Sequence, residues 1–233
     1  MKQSFKKILM VDNFDSFTYN LVEYFKIQGC EVTVYRNTVS PSDIEKEDFD
    51  LMVLSPGPST PSNAGNLMQI IERFHTKVPI FGVCLGHQAL IEFFGGTLKY
   101  LEPKHGKADE IICDQQSIYT GLDTNIQIAR YHSLAADELP NVLDVSARSA
   151  SDGTIMSMRH KTLPIEGVQY HPESVLAMKG GVGMKIIENI VNGKINAGNV
   201  GYQQLMTKLQ SSNQLSIADI ELFLKNISGQ RKS

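Results

Sequence analysis

The residues best suited to covalent chemistry stand together in Gly82-Val83-Cys84-Leu85-Gly86-His87-Gln88. A thiol sits between two glycines, behind an apolar run and ahead of a helix-compatible one. This is the Gly-x-nucleophile-x-Gly elbow, with cysteine in the nucleophile position. The sharp strand-to-helix turn forces the central residue into a strained backbone and exposes its side chain at the carboxyl end of a sheet. Flanking glycines let neighbouring backbone come close. The helix N-terminus beneath favours a thiolate, and the amide of Leu85 is placed to donate to an oxyanion. The alternative is an ordinary buried cysteine between a strand and a helix.

A thiolate nucleophile needs a base, and the base needs an orienter. His171-Pro172-Glu173 offers both. Pro172 stiffens the link, and the i, i+2 spacing can bring the carboxylate to the imidazole. His171 would exchange the proton with Cys84 and later protonate leaving ammonia, while Glu173 would hold the ring's tautomer. A solvent-exposed turn is the other reading of these three residues. His87, three residues after the nucleophile on the same helix, is a rival base, as is His132 in Tyr131-His132-Ser133-Leu134. Ser55-Pro56-Gly57-Pro58-Ser59 ends an earlier strand at the same sheet edge. A glycine amide without side-chain cover is what a second oxyanion donor requires; a proline-rich turn with no chemistry is the alternative.

The elements that must position these residues alternate over the first ninety positions. Strands are expected at 6–12 (KKILMVD), 31–35 (EVTVY), 50–55 (DLMVLS) and 78–83 (VPIFGV). Helices are expected at 16–28, stopped by Gly29, at 66–76 and at 86–94. Such alternation with short connections predicts an α/β fold, a central, mostly parallel sheet flanked by helices. From Thr97 to Gln169 short β-type runs (IQIAR, LDVSAR, TIMSMR, IEGVQ) sit between turns and predict a smaller antiparallel or mixed portion. A helix over 180–192 closes the domain. INAGNVG (195–201) has the composition of a linker, and two short amphipathic helices follow, with Ser216 as N-cap of the second. The expected division is therefore 1–194 for the main domain and 195–233 for linker and helices.

Bulk properties narrow the function classes. The length, 233 residues, suits one sizeable domain with an appendage. A net charge of −3 gives no electrostatic reason to expect nucleic acid or an anionic membrane as partner. The apolar run near the N-terminus is shorter than a signal segment and is followed by Asp12 and Asp15, so it reads as a first strand. No stretch approaches the ~20 apolar residues of a spanning helix. Cys30, Cys84 and Cys113 form neither a metal spacing nor an even set for disulfides, which fits thiols in a reducing cytoplasm. No metal site or organic cofactor is expected.

Taken in order, several stretches resemble class I glutamine amidotransferases of the anthranilate synthase and aminodeoxychorismate synthase type. They are Asp12 to Leu21, Ser55 to Pro58, Gly82 to Gln88, His105-Gly106-Lys107, Arg130 to Leu134, Arg159-His160 and Ile165 to Ser174. The resemblance spans about residues 8–192 and implies a flavodoxin-like fold and a Cys84–His171–Glu173 triad working through a γ-glutamyl thioester. It implies an oxyanion hole from the amides of Gly57 and Leu85. It also implies L-glutamine recognition by the Gly57-Pro58-Ser59 turn, by Gln88, and by backbone groups at Ser133 and Leu134. Ser59 departs from the pattern, in which a second glycine is common. The implied partner is a chorismate-utilising synthase subunit that receives ammonia, for tryptophan or for folate synthesis. The tail (Leu205-Met206-x-Lys208-Leu209, Leu215-Ser216, Phe223 to Gly229) resembles the opening helices of anthranilate phosphoribosyltransferase and implies a docking or fused module of that kind. The competing classes are a regulatory subunit without catalysis, and a cysteine peptidase or γ-glutamyl hydrolase. The intact triad residues argue against the first, and the His-Gly-Lys and Tyr-His-Ser-Leu segments against the second.

Overall fold

A computed structural model of the chain describes residues 4–102, 106–174 and 181–195. His105 and the expected tail helices lie outside the described residues. Strands β1 (Lys7–Asp12), β2 (Glu31–Arg36), β3 (Leu51–Leu54) and β4 (Ile80–Val83) alternate with helices α1 (Thr18–Ile27), α2 (Pro41–Ile44), α3 (Leu67–Phe74) and α4 (Leu85–Phe93). Each expected strand and helix of this half is present within two residues of its predicted bounds. The short α2 was not expected from periodicity; Pro41 occupies its first position and the Ser40 side chain accepts from the Ser42 amide, an N-cap.

Seven further strands follow: β5 (Thr97–Tyr100), β6 (Lys107–Cys113), β7 (Asn125–Arg130), β8 (Leu134–Glu138), β9 (Leu143–Ser149), β10 (Ile155–His160) and β11 (Ile165–Val168). Helix α5 (Val182–Val191) closes the described chain. Nine strands form one sheet in the order β2-β1-β3-β4-β11-β10-β9-β6-β7, and β5 pairs with β8 in a second, two-stranded sheet. The pairings from β2 through β11 are parallel and those from β11 through β7 antiparallel. The parallel half has the flavodoxin-like order, with β11 as its fifth strand. The antiparallel portion thus extends the same sheet.

Both faces of the parallel half are covered, so successive residues alternate between two cores. Ile8, Met10, Val53, Phe81 and Val83 pack on one face with α1 and α5 (Leu21, Phe25, Ile186, Ile190). Leu9, Val11, Met52, Leu54 and Ile80 pack on the other with α3 and α4 (Ile70, Ile71, Ala89, Leu90). Ile195 is buried in the first of these cores, and the Lys194 carbonyl accepts from the Ser117 hydroxyl. No described helix is long and apolar enough to cross a membrane, and no cluster among the described residues could hold a metal ion.

Candidate active site

The carboxyl ends of β1, β3, β4 and β11 meet at one edge, where ligands bind in open α/β sheets. Cys84 lies between β4 and α4 with φ 51° and ψ −102°, a conformation that L side chains rarely adopt. Its amide donates to the Val168 carbonyl at 2.8 Å, and its carbonyl accepts from Gln88 at 3.0 Å. Those bonds hold the turn between strand and helix. The two glycines are sterically required. A Cβ at Gly82 would lie 2.6 Å from the Gly86 carbonyl carbon, and one at Gly86 would collide with the Leu54 backbone.

Strand β11 ends at Val168, and its chain runs on through Gln169 and Tyr170 to His171. Nδ1 of His171 lies 2.7 Å from Oε1 of Glu173, and both residues are buried. The i, i+2 reach expected from the sequence is therefore made. Cys84 shares a side-chain hydrogen bond with the same imidazole; with Nδ1 taken by Glu173, the ring nitrogen left for sulfur is Nε2. Burial opposes charge on this ring. The hydrogen bonds to Cys84 and Glu173 outweigh it, and the His171 pKa is pushed up to about 10. The favoured state is an imidazolium facing the sulfur. Phe17 and Tyr131 set their rings edge-on to the imidazole, at 5.4 and 5.3 Å between centroids, and α5 backs the loop. At Gly183 a Cβ would run into the Pro172 carbonyl, so that helix approaches only because the residue is glycine.

Among the described residues, neither rival histidine has a carboxylate partner of the kind Glu173 gives His171. Nδ1 of His132 lies 3.1 Å from the Leu134 carbonyl, and Arg130 Nε donates to its Nε2 at 3.2 Å. That pattern is a neutral ring; burial, then the Arg130 charge, push its pKa down to about 4. His87 is fully buried against Gly167, and burial pushes its pKa down to about 3.

The Gly57 turn is fixed from β1. The Asn13 amide donates to Ser55 Oγ at 2.9 Å, and Asn13 Nδ2 to the Ser55 carbonyl at 2.8 Å. Asn37 Nδ2 holds the Asn13 side-chain oxygen at 3.0 Å. A Cβ at Gly57 would lie 2.5 Å from Leu85 Cδ2 and 2.6 Å from Asn13 Cβ. Gly57 and Leu85 are thus adjacent, and the Leu85 amide heads α4, where no intrahelical carbonyl meets it. Pro58 and Ser59 are exposed, and Ser59 has φ 70°. That backbone favours glycine, which gives the Ser59 departure a physical meaning.

Gln88 lies one helical turn below Cys84. Its Nε2 donates to the Leu134 carbonyl at 2.8 Å and to Gln169 Oε1 at 3.2 Å. Both amide hydrogens are committed, so Gln88 offers a ligand its carbonyl oxygen. Leu134 is buried, Ser133 is exposed, and the Ser133 carbonyl accepts from the Leu101 amide at 2.8 Å. Sequence reasoning gave no role to Asn13, Phe17 or Gln169. Gln169 was detectable: in extended chain it shares a face with His171, two residues on.

The class-I glutamine amidotransferase model matches residues 9–191. The anthranilate synthase component 2 of Methanocaldococcus jannaschii is 43% identical over 195 residues, covering 81% of this chain and 98% of that protein. The aminodeoxychorismate/anthranilate synthase component 2 of Bacillus subtilis is 45% identical over 177 residues, covering 74% of this chain and 91% of the relative. The bifunctional protein TrpGD of Thermotoga maritima is 40% identical over 193 residues, which is 80% of this chain but 32% of that longer protein. Among solved structures, that of a putative GMP synthase component from Thermoplasma acidophilum superimposes with a TM-score of 0.73 at 23% identity, covering 87% of this chain and 98% of that one. That likeness is one of fold alone. With its elbow cysteine, its family match over most of the length and these relatives, the chain belongs to the class-I glutamine amidotransferases.

Proposed function

We propose that this chain is the glutaminase subunit of an anthranilate synthase, hydrolysing L-glutamine at Cys84 and delivering ammonia to a chorismate-utilising subunit. The observation that carries the chemistry is the strained Cys84 turn, with a His171 imidazole at the sulfur and Glu173 2.7 Å behind it. Sγ attacks the side-chain carboxamide carbon of glutamine. The amides of Gly57 and Leu85 hold the oxygen as it gains charge. The carbon–nitrogen bond breaks, His171 gives its proton to the departing nitrogen, and ammonia leaves a γ-glutamyl thioester. Water then adds to the thioester carbon and gives a proton to His171. The carbon–sulfur bond breaks, returning the thiolate and releasing glutamate. The Gly57-Pro58-Ser59 turn, the Gln88 carbonyl oxygen and the backbone at Ser133 and Leu134 would hold the glutamine.

The relatives named as anthranilate synthase components support the pathway. The Bacillus subtilis relative bears both synthase names, which supports a second reading in which this chain also serves an aminodeoxychorismate synthase. The longer Thermotoga maritima relative, whose name declares it bifunctional, supports reading the segment after Ile195 as one that docks, or leads into, a phosphoribosyltransferase module without carrying that chemistry itself. The test of the central reading is to pair the chain with each chorismate-utilising synthase in turn and compare nitrogen sources. Cys84→Ser should abolish glutamine-dependent product while ammonia-dependent product persists. Glutamine-dependent synthesis by that variant would reject the assignment.

A further inference from the structure

The polar side chains beside Cys84 form a line that the triad does not use. It runs from the Leu134 carbonyl to Gln88 Nε2 (2.8 Å), from Gln88 Nε2 to Gln169 Oε1 (3.2 Å), and from Gln169 Nε2 to Cys84 Sγ (3.7 Å). Its polarity is forced. A carbonyl only accepts, so the nitrogen of Gln88 must face Leu134. The second hydrogen of that nitrogen requires the oxygen of Gln169, which turns the Gln169 NH2 to the sulfur. Gln88 is 3% exposed and Gln169 0%, so protein groups rather than solvent supply these contacts. The Gln169 backbone amide is tied to the Met156 carbonyl at 2.9 Å, which fixes the strand end.

We infer that Gln169 is a second donor to the nucleophile, whose amide stabilises the Cys84 thiolate and couples the sulfur through Gln88 to the start of β8. This rests on the reading of Cys84 as the nucleophile. Hydrogen bonds to charged groups are stronger than those to neutral ones. The sulfur is anionic before attack and after thioester hydrolysis, and neutral in the thioester. A donor at this place therefore favours the resting thiolate and makes sulfur a better leaving group in the second half-reaction. The titratable groups around the sulfur and the imidazole are His171 and Glu173 after β11, Tyr131 and His132 after β7, and Tyr24 on α1. Gln169 is uncharged among them, so it moves the thiolate's titration without titrating itself.

The test uses the full chain and the pH dependence of Cys84 alkylation by iodoacetamide, with Gln169→Leu and Gln169→Glu compared by thermal melting. Gln169→Leu should displace the alkylation profile upward by about one pH unit, with alkylation on the acid limb slowed about tenfold. Gln169→Glu should raise it further, since a carboxylate there repels the thiolate. With a synthase partner, kcat for glutamine should fall in the same order while KM changes little. In the unaltered chain, the side-chain ¹⁵N signal of Gln169 should shift as Cys84 ionises, a readout that does not depend on a variant folding. A wild-type alkylation profile in both variants, or a Gln169 signal that ignores Cys84 ionisation, would overturn the inference. If alkylating Cys84 left glutamine hydrolysis intact, the functional reading would fail instead.

Discussion

Glu173→Gln is the perturbation whose outcome follows most directly from the geometry. It keeps the shape of a side chain that is 3% exposed and removes the carboxylate 2.7 Å from His171 Nδ1. That carboxylate is one of the two groups that hold the His171 pKa near 10 against burial. A hydrogen bond to a charged group contributes about 1.5–3 kcal/mol. At about 1.4 kcal/mol per pKa unit, its loss lowers the His171 pKa by about one to two units. In the proposed mechanism the imidazolium supplies the proton to departing ammonia, so the alkaline limb of kcat/KM for glutamine should move down by that amount. At neutral pH the ring stays protonated, and the loss there comes from its weakened orientation, a reduction in rate of about ten- to a hundredfold. The assay is glutamine-dependent product formation by the paired synthase across pH, with ammonia as the control nitrogen source. An unchanged alkaline limb would show that Glu173 does not hold the His171 proton.

Other outcomes follow from individual residues. Ser59→Gly removes a side chain from a φ of 70° and should stabilise the fold by about 0.5–1 kcal/mol, net of glycine's extra chain entropy, in denaturant melts; a destabilised variant would contradict this. Gly183→Ala should lower glutamine turnover at least tenfold, on the order of one pair's misalignment, although Gly183 lies outside the site, because its new Cβ meets the Pro172 carbonyl. Ammonia-dependent turnover should persist, and unaltered glutamine turnover would mean that the His171 loop is not braced by α5. His87, His132 and His160 are buried with pKa values pushed down to about 3, 4 and 4, by burial first in each case. Their contribution to stability is complete above about pH 6.5 and is lost as pH falls toward 4, since the unfolded chain binds protons that the folded one does not. Denaturant midpoints should therefore fall between about pH 7 and about pH 5, and His160→Gln should flatten the fall. Parallel profiles would refute that assignment.

The elbow was legible because its spacing is a steric statement: Gly82 and Gly86 leave no room for a Cβ, and a sequence can record that as two glycines around a cysteine. The His171–Glu173 pair was legible because a two-residue spacing sets its own reach. What Gln169 does was not, since its role needs the Gln88 and Leu134 partners that only folding brings together. Rival histidines could not be sorted by type; His132 is set aside by the Arg130 contact and the Leu134 carbonyl, both tertiary facts. In the β-rich half, local alternation marks strands but not their neighbours, so nothing local told that β6, β7, β9 and β10 extend the main sheet. Strand β8 (LAADE) lacks both alternation and β-branched content, and β5 (TLKY) is only four residues long; they form by pairing with each other. The tail composition invites a reading of linker from 195, yet Ile195 packs into the core beside α5.

The central claim is that Cys84 forms a γ-glutamyl thioester. The most direct measurement mixes the chain and its synthase partner with isotopically labelled glutamine, quenches in acid, and maps the label by peptide mass spectrometry. The account predicts labelled γ-glutamyl on the peptide containing Cys84, none on peptides containing Cys30 or Cys113, and none in Cys84→Ser. Label on another residue, or glutamine turnover that persists in Cys84→Ser without label, would contradict it.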